Sequence, residues 1–256
     1  TAACAAPQRK LGYAIVGLGY YATQQIMPNF AGCEHAKLVA LVSGTPAKLA
    51  QYGDQYGIPK THRYSYAEFD RIRDNPDIDI VYIVLPNSLH AEYSIRAAQA
   101  GKHLFLEKPL AASMVGVSEL VTTVQQKGLV VEAGFMLHAH PNLLWIREQL
   151  AQGLLGEIWH MRAAVGQWLP DWRPGTDHRQ GYGAFKALGG GVTFDLIHEL
   201  DLVQWLLGPV ADVTAMMRTA AALEIETEAV AQIGLQLASG ALAQVHLDYL
   251  RPGYGR

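Results

Sequence analysis

The sequence predicts an α/β protein of two domains, a doubly wound parallel sheet followed by an α+β domain with an open antiparallel sheet. In the first half, short apolar runs alternate with helix-compatible segments, as they do in proteins with parallel sheets. In the second half, three candidate strands follow one another, and a Ser239-Gly240 turn joins the last two as a hairpin. We place the boundary so that the domains span residues 1–134 and 135–256.

Length and composition fit this division and exclude several classes of protein. The 256 residues are 50% hydrophobic and 17% charged, and the net charge of −3 gives no sign of a nucleic-acid-binding surface. No apolar run reaches the roughly 18 residues that predict a membrane span. Two cysteines, Cys4 and Cys33, are too few for a disulfide framework. We expect a cytoplasmic protein; the alternative is a periplasmic one, with the Ala-rich residues 1–8 as the remainder of a cleaved export signal.

The elements of the first domain alternate along the chain. The apolar runs of strand length cover residues 13–16, 37–43, 62–64, 79–85, 103–106 and 129–133. The helical segments between them cover residues 20–30, 46–56, 66–71, 88–100 and 113–127. Pro46 suits a first helical turn, and Gly101 and Gly128 suit helix ends. The apolar run up to residue 85 predicts a central strand that is buried on both faces.

The second domain has a different pattern. A helix at residues 142–152 precedes a strand at residues 157–165. A polar loop rich in aromatic residues spans residues 167–183, and three glycines then introduce a helix at residues 193–207. The remaining strands cover residues 210–217, 229–237 and 241–249. These three strands predict the antiparallel sheet.

The turn after the first strand has the spacing of a dinucleotide-binding fingerprint. Gly17 permits a tight turn, Gly19 has no Cβ to obstruct a pyrophosphate, and Ala22 allows close packing of helix on strand. The following helix N-terminus offers N–H donors and a positive dipole end to phosphates. An ordinary βα turn is the alternative, but a place at the start of a β/α alternation favours a Rossmann nucleotide-binding domain.

The end of the second strand indicates which dinucleotide is preferred. NAD-binding domains usually carry Asp or Glu there for the ribose 2′-hydroxyl, whereas this chain has Ser43, Gly44 and Thr45, with Lys48 one helical turn later. A carboxylate would repel a 2′-phosphate, while hydroxyls, N–H groups and a lysine would bind one. We therefore predict NADP, with NAD as the alternative. In the other interpretation Ser43 begins a turn and Lys48 is a solvated helix residue.

Two groups of residues are candidates for acid–base chemistry. Lys108 follows Glu107 just past the carboxyl end of a predicted strand, where ligands gather in open α/β sheets, although a lysine there is also an ordinary surface residue. In the helix at residues 193–207, Asp195 and His198 are neighbours on the polar side, so that the carboxylate can orient the imidazole. The alternative is a solvated polar face. The other histidines have no recognised ligand spacing, so we predict no metal site.

Three stretches in this order resemble the Gfo/Idh/MocA oxidoreductases, and the resemblance covers about residues 11–251. The stretches are GLGYYA, SLHAEYSIRAAQAGKHLFLEKPL and GGGVTFDLIHELDLVQWLLG. The first half is most similar to the glucose–fructose oxidoreductases of that family, and the second half to its HELD-type sugar and sugar-nucleotide dehydrogenases. Members are usually longer than this chain, so we expect it to be short of the final strands and the closing segment.

The resemblance implies a set of functional residues. Lys108 matches the family's lysine and His198 its acid–base residue, with Asp195 positioning the pair. The residues predicted to bind the cofactor are Gly17, Gly19, Tyr20, Tyr21, Ser43, Gly44, Thr45, Lys48, Leu85, Pro86, Asn87, His90, Glu107 and Lys108. The residues predicted to bind the substrate are Trp172, Arg173, Arg179, Tyr182, Asp195 and His198, and Trp168 lies in the same loop. The alternative for the loop residues is a contact between subunits.

The resemblance also implies an activity, hydride transfer between NAD(P) and a CH–OH group of a sugar, polyol or sugar derivative. His198 would take the hydroxyl proton and Lys108 would polarise the oxygen. Two alternatives stay open, a glucose–fructose-type ping-pong oxidoreductase with tightly held NADP and a non-catalytic NADP-binding regulator. We expect a homodimer or homotetramer packed through the second sheet, because apolar Ile233, Leu235 and Leu237 alternate with polar residues there and cannot all face solvent. We expect no nucleic-acid or membrane partner.

Overall fold

The computed structural model of the chain describes residues 9–256. Cys4 and the export-signal remainder predicted at residues 1–8 lie outside the described residues. The chain divides into two compact units, Thr1–Gly134 and Phe135–Arg256. Each unit forms its own sheet around its own hydrophobic core.

The first unit is built on six parallel strands in the order β3-β2-β1-β4-β5-β6. The strands are β1 (Leu11–Val16), β2 (Ala36–Val42), β3 (Arg63–Tyr64), β4 (Ile80–Ile83), β5 (His103–Leu106) and β6 (Val131–Ala133). This is the strand order of the doubly wound dinucleotide-binding fold, so the predicted fold class of this half is confirmed. The carboxyl ends of β1, β4 and β5 lie side by side at one edge of the sheet.

The helices of the first unit begin and end close to the predicted positions, with one exception. They are α1 (Pro46–Gln55), α2 (His90–Gln99) and α3 (Val117–Lys127), with shorter 3₁₀ helices at Lys60–His62, Tyr66–Asp74 and Asn87–Leu89. The exception is the first helix, which consists of π-helical turns over Ala22–Ile26 and a 3₁₀ helix over Met27–Gly32. Pro28 has no N–H to donate, so a regular α-helical ladder cannot continue through this segment.

The central strands of the first sheet are buried on both faces. On β1, the side chain of Ile15 packs with Leu41 and Met27 on one side, while Val16 packs with Ile83 on the other. All five are fully buried. Each such side chain contributes about 1.5–3 kcal/mol of transfer free energy. This two-sided burial explains why the strands read as continuous apolar runs.

The second unit contains a four-stranded sheet in the order β7-β10-β9-β8. The strands are β7 (His160–Gly166), β8 (Val210–Arg218), β9 (Val230–Leu237) and β10 (Leu242–Asp248). β9 and β10 form the predicted hairpin, and β8 is antiparallel to β9. β7 runs parallel to β10, so the sheet is mixed rather than wholly antiparallel. Residues 167–241 connect β7 to β10, and this long connection allows the parallel pairing, which a short hairpin turn could not provide.

The prediction of one continuous helix at residues 193–207 was wrong, because the segment forms two helices. The helices of this unit are α4 (Pro141–Ala151), α5 (Val192–Asp195) and α6 (His198–Leu207), with 3₁₀ helices at Met136–Ala139, Leu169–Asp171, His178–Gln180, Tyr182–Ala184, Lys186–Leu188 and Ala221–Leu223. Leu196 leaves helical geometry with φ −106° and ψ 26°. The Thr193 N–H donates to the Glu228 carboxylate at 3.1 Å, which anchors α5 to the strand that follows Glu228.

The two faces of the second sheet differ sharply in polarity. Ile233, Leu235 and Leu237 all lie in the core with Val245 and with Val203 of α6. The expectation that these three residues would leave an apolar open face was therefore wrong, because they share one face. The open face carries mostly polar side chains, which are Gln232, Gln236, Gln244, His246, Asp212, Thr214 and Arg162. Strand β8 is exposed over most of its length.

Candidate functional site

The glycine turn lies at the carboxyl end of β1, and its two predicted glycines have different surroundings. Gly17 has φ +97°, and a Cβ there would collide with the Val84 carbonyl oxygen. Only glycine fits this backbone conformation without strain. At Gly19, no atom lies within 4 Å of the place that a Cβ would occupy, so the backbone there borders open space. A pyrophosphate therefore has room to approach the main chain at this point.

The residues that follow the glycine turn either pack in the core next to it or lie at the surface beside it. Ala22 is fully buried, as close helix–strand packing requires, and the Thr23 hydroxyl donates to the Gly19 carbonyl at 3.0 Å. Tyr20 and Tyr21 are nearly half exposed beside the turn. Burial raises the pKa of Tyr21, with a smaller contribution from the Glu107 carboxylate, so this phenol stays neutral. Both tyrosines can present their rings to a ligand at this edge.

At the end of β2, Ser43 shapes the turn and Lys48 reaches the glycine turn. Ser43 is buried, and its Oγ accepts the N–H of Thr45 at 3.2 Å. Lys48 Nζ donates to the Leu18 carbonyl at 2.9 Å. A Cβ at Gly44 would lie 3.1 Å from the Tyr66 ring. The interpretation of Ser43 as a turn residue thus matches its contacts, while Lys48 places a positive charge beside the glycine turn.

Lys108 and Glu107 leave β5 in a fixed arrangement. The Glu107 N–H donates to the Ile83 carbonyl at 3.0 Å, and the Glu107 carboxylate accepts the Tyr82 hydroxyl at 2.7 Å. Burial raises the pKa of Glu107, and the hydrogen bond from Tyr82 and the charge of Lys108 oppose this effect. The predicted cofactor residue Glu107 is therefore bonded to the neighbouring strand. Lys108 follows it at the edge where ligands bind in such sheets, and the Lys108-Pro109 peptide bond is cis.

The predicted nicotinamide-side residues divide into two groups by burial. Pro86 is half-buried in the exit loop of β4, whereas Leu85, Asn87 and His90 are buried. His90 is fully buried, with Nδ1 at 2.6 Å from the Pro109 carbonyl oxygen and Nε2 at 2.9 Å from that of Leu85. We call the edge of the first sheet formed by the carboxyl ends of β1, β4 and β5 the ligand edge. Because both of its ring nitrogens face main-chain carbonyls, His90 lies beneath this ligand edge. The prediction of His90 as a direct cofactor contact is corrected.

In the second unit, Asp195 is held by two tyrosines. It is buried at the end of α5, and its two carboxylate oxygens accept the Tyr182 hydroxyl at 2.6 Å and the Tyr249 hydroxyl at 2.7 Å. Burial and the Asp195 charge raise the pKa of both tyrosines well above the usual value. Asp195 is thus the shared acceptor of two buried tyrosine hydroxyls, a role that its spacing to His198 in the sequence did not indicate.

His198 begins α6 in an aromatic environment. Its ring meets that of Phe135 edge-on, with centroids 6.0 Å apart. One turn further along the same face of α6, the Asp201 carboxylate is 2.7 Å from His138 Nε2, and the His138 ring stacks on Trp205 at 4.5 Å. Burial raises the pKa of Asp201, and the interaction with His138 opposes this effect. The helix face that carries His198 is therefore packed against aromatic rings.

The polar side of α5 and α6 is not solvated, which excludes one of the interpretations of the sequence. Asp195, His198 and Glu199 are only 7%, 8% and 1% exposed. The Glu199 carboxylate accepts the Arg256 Nε–H at 2.5 Å. Buried charged groups need such partners, because an uncompensated carboxylate in a protein interior costs several kcal/mol.

Of the loop residues predicted to bind substrate, three contact Asp195 or its tyrosine partners, and one lies apart from them at the surface. Arg173 lies over the Tyr182 ring at 5.4 Å, Tyr182 bonds Asp195, and Trp172 meets the Tyr249 ring edge-on at 5.3 Å. Arg179 instead pairs with Asp177 and Glu224 at the surface. The structure brings Trp172, Arg173, Tyr182 and Asp195 together, and Arg179 is engaged elsewhere.

Comparison with known proteins identifies the family. A model of the family GFO_IDH_MocA, described as "Oxidoreductase family, NAD-binding Rossmann fold", matches residues 11–135, and one described as "GFO/IDH/MocA C-terminal domain" matches residues 143–256. The chain belongs to the Gfo/Idh/MocA family. The resemblance stated from the sequence is thereby confirmed, and the first unit is the family's NAD(P)-binding Rossmann domain.

Individual Gfo/Idh/MocA relatives act on sugars and sugar derivatives. The chain is 42% identical to an aldose–aldose oxidoreductase from Caulobacter crescentus, with a TM-score of 0.87 over 95% of this chain and 72% of that one. It is 28% identical to a 1,5-anhydro-D-fructose reductase from Ensifer adhaerens, over 82% of this chain and 61% of that protein. It is 25% identical to a levoglucosan dehydrogenase solved with NADH and levoglucosan, with a TM-score of 0.80 and coverage of 95% and 68%.

The chain spans about half the length of the curated Gfo/Idh/MocA relatives that it matches, between 42% and 61% of the first four. In the part of the chain that the structure describes, no helix is long and apolar enough to cross a membrane. Within the same residues, 9–256, no group of three or more His, Cys, Asp or Glu side chains is placed to hold a metal ion.

Four partners of the predicted site residues and of nearby Asp201, one in the first unit and three in the second, were missed by sequence reasoning. Tyr249, Tyr82, His138 and Phe135 contact Asp195, Glu107, Asp201 and His198, respectively. Tyr249 ends the apolar run predicted as the last strand, and Phe135 follows the last strand of the first unit, so the sequence indicates only ordinary core residues at both positions. No local signal marks such partners, because each contact joins residues that are distant in the sequence.

Proposed function

We propose that the chain is part of an NAD(P)-dependent oxidoreductase that transfers hydride between the nicotinamide ring and a CH–OH carbon of a sugar, polyol or sugar derivative. The observation that carries the proposal is the sheet edge of the first unit, where the open glycine turn follows β1 and Lys108 follows β5, the two parallel strands on either side of β4. The sugar-directed activities of the relatives supply the substrate class. The space above Gly19 fits a pyrophosphate, so these residues suit the dinucleotide.

The chain's own residues would bind the cofactor and handle protons. Bound nicotinamide would accept or deliver the hydride. Gly17 and Gly19 would let the main chain approach the pyrophosphate, and Lys48 would supply a positive charge beside it. Lys108 would hydrogen-bond the substrate hydroxyl oxygen and stabilise negative charge there as the proton leaves. In the second unit, His198 is the candidate base for a hydroxyl proton.

A screen tests the proposal. We expect the 256-residue protein, incubated with NADP⁺ and a panel of aldoses, polyols and nucleotide sugars, to reduce the cofactor with some members of the panel and not with amino acids or simple alcohols. The absence of cofactor reduction with every sugar, together with no cofactor oxidation in the reverse direction, would overturn the proposed activity.

A preference for NADP over NAD is a separate part of the proposal. The end of β2 offers Ser43, Gly44, Thr45 and Lys48 and no carboxylate to repel a 2′-phosphate. We expect Ser43→Asp to weaken NADP binding by about tenfold, the effect of one charged contact of roughly 1.4 kcal/mol, and to improve NAD binding. Titrations of both cofactors by fluorescence measure this; wild-type protein that binds NAD as tightly as NADP would contradict the preference.

A second candidate function has a specific observation in its favour. The 42% identity to an aldose–aldose oxidoreductase supports a ping-pong reaction in which one sugar is oxidised and a second is reduced. In that case the purified protein would carry tightly held NADP. Mass spectrometry of the protein after denaturation would detect it, and parallel double-reciprocal plots with two sugars would distinguish this reaction from a simple dehydrogenase.

We further propose a homodimer or homotetramer that packs through the open face of the second sheet. This face is large, and its exposed apolar side chains include Leu242 (55% exposed) and Met216 (76% exposed) among the polar ones. Light scattering at micromolar concentration tests the assembly, with Met216→Lys as the disrupting variant. An active monomer would contradict this role of the sheet.

A further inference from the structure

His90 occupies the junction between two neighbouring strands of the first sheet. It is the first residue of α2, the helix that connects β4 to β5. β4 and β5 are adjacent and parallel, with Ile83 beside Leu106, so their exit loops leave the same edge together. The His90 ring lies between these loops and is fully buried.

The ring makes one close contact to each exit loop. Nδ1 is 2.6 Å from the carbonyl oxygen of Pro109, after β5, and Nε2 is 2.9 Å from that of Leu85, after β4. A neutral imidazole has one N–H and therefore donates to only one of two carbonyls. The shorter distance assigns the proton to Nδ1, which donates to Pro109. Burial lowers the pKa of His90 and the Lys108 charge adds to this effect, while the contacts with the Pro109 and Leu85 carbonyls oppose it; the net lowering favours the neutral form.

The hydrogen bond between His90 and the Pro109 carbonyl holds the main chain on the C-terminal side of Lys108. On the N-terminal side of Lys108, the Glu107 N–H is bonded to Ile83 and the Glu107 carboxylate to Tyr82. On the C-terminal side, the carbonyl of the next residue, Pro109, is bonded to His90. The main chain is therefore held on both sides of Lys108, and the second bond comes from the helix that follows β4.

We propose that His90 is a positioning residue for Lys108: it ties the peptide that follows the lysine to the exit of β4 and so fixes where the ammonium group stands. It does not touch a ligand itself, because its ring is fully buried and both nitrogens face main-chain carbonyls. The kinetic part of this inference rests on the proposed function, and the structural part does not.

Three substitutions of His90 separate the two contacts. The side-chain nitrogen of His90→Asn stands near the place of Nδ1 and can still donate to Pro109, whereas that of His90→Gln stands near the place of Nε2 and reaches toward Leu85. His90→Phe fills the volume of the imidazole ring but has no hydrogen-bond donor. We expect kcat to fall about tenfold or more in His90→Phe and His90→Gln and only a few-fold in His90→Asn, since small misplacements of a catalytic group carry such costs. The KM and dissociation constant for NADPH should change less than about twofold.

A matched control uses the same helix. Ser94 lies one turn after His90, is also fully buried, and its hydroxyl makes no hydrogen bond within the described residues. We expect Ser94→Ala to leave kcat and KM unchanged. A loss of kcat in Ser94→Ala equal to that in His90→Phe would assign the effect to general disturbance of α2 and overturn the proposal.

A second measurement does not depend on catalysis. Competitive acetylation with trace reagent, followed by mass spectrometry, reports the reactivity of Lys108 relative to the exposed Lys60. We expect Lys108 to react several-fold faster in His90→Phe, because its main chain is released, and at nearly the wild-type rate in His90→Asn. An unchanged Lys108 reactivity in folded His90→Phe would overturn the proposal. If wild-type protein turns over no sugar, the proposed function fails, and this measurement still decides the positioning role.

The wild-type protein supplies a test that requires no variant to fold. Nitrogen-15 NMR of the histidine rings distinguishes a protonated Nδ1 from a bare one. We expect the His90 ring to carry a slowly exchanging proton on Nδ1 that is coupled to a carbonyl across the hydrogen bond, and a signal from His62, whose Nδ1 is 3.1 Å from the Val39 carbonyl, to be assigned separately. If the His90 ring does not have this state between neutral and alkaline pH, Nδ1 does not donate to Pro109 and the inference is wrong.

Discussion

The ligand edge of the first unit and the α5–α6 region of the second unit are built in different ways. At the ligand edge, the shape comes from main-chain turns, such as the one at Gly17, and the functional side chains lie at strand ends. In the α5–α6 region, the shape comes from side chains, because Asp195 and Glu199 are buried and each is bonded to a residue far away in the sequence. Substitutions at the ligand edge should therefore change binding and rate, and substitutions in the α5–α6 region should also change stability.

The largest effect is expected at the ligand edge. Lys108→Ala should lower kcat about 10²–10⁴-fold, the usual scale for loss of positioned acid–base help, while melting temperature and cofactor affinity stay close to wild type. Steady-state kinetics and cofactor titration measure this, with Lys127→Ala as a control at an exposed lysine of the same unit. A Lys108→Ala protein that turns over at the wild-type rate would remove Lys108 from the mechanism.

The α5–α6 region should respond to Asp195→Ala with a loss of stability. Two buried tyrosine hydroxyls lose their acceptor, which should lower the free energy of unfolding by about 2–4 kcal/mol. Urea titrations of Asp195→Ala, Tyr249→Phe and the double variant measure it. We expect the double variant to be less destabilised than the sum of the singles, since each single change removes the same hydrogen bond. Additive losses would mean that the carboxylate and the Tyr249 hydroxyl are not coupled.

Gly17 and Gly19 form a pair that separates folding from binding within the same turn. Gly17→Ala should cost about 1–3 kcal/mol of stability, because φ is positive there and the new Cβ meets the Val84 carbonyl. Gly19→Ala should melt near the wild-type temperature and bind NADPH more weakly, since its Cβ points into open space. Thermal melts with and without NADPH give both quantities. Equal melting temperatures and equal affinities for the two variants would contradict this division.

The smallest effect is expected at the opposite edge of the first sheet. Asp79 accepts two hydrogen bonds from Arg9 and one from the Gly12 N–H, each at 2.7 Å, and the Arg9 bond in particular lowers the pKa of Asp79. Its stabilising effect is thus fully present above the ordinary carboxyl pKa near 3.8 and is lost as the pH falls through the lower folded value. We expect Asp79→Asn to melt below wild type at neutral pH.

The measurement is the difference in melting temperature between wild type and Asp79→Asn as a function of pH. The gap in melting temperature between wild type and Asp79→Asn should narrow as the pH is lowered through the acid range. A gap that stays constant down to acid unfolding would show that the Asp79 charge contributes nothing and that only the shape of the side chain matters.

The sequence by itself determined the parts of this protein that depend on local signals. The strand–helix alternation, the Gly17 turn, the β9–β10 hairpin and the place of Lys108 at a strand end were all predicted, because each follows from residues within about a dozen positions of one another. The family followed from three short motifs.

Only the tertiary structure decided how the remaining residues are used. The break between α5 and α6, the burial of Asp195 and Glu199, the parallel pairing of β7 with β10, and the place of His90 beneath the ligand edge were not evident in any local pattern. The reason is the separation of the partners: Tyr249 lies 54 residues from Asp195, Arg256 lies 57 from Glu199, and His138 lies 63 from Asp201. On a helical wheel, such residues form a polar face that is expected to be solvated. The fold can bury them because it gives each one a partner, distant in the sequence, that satisfies its charge or its hydrogen bond.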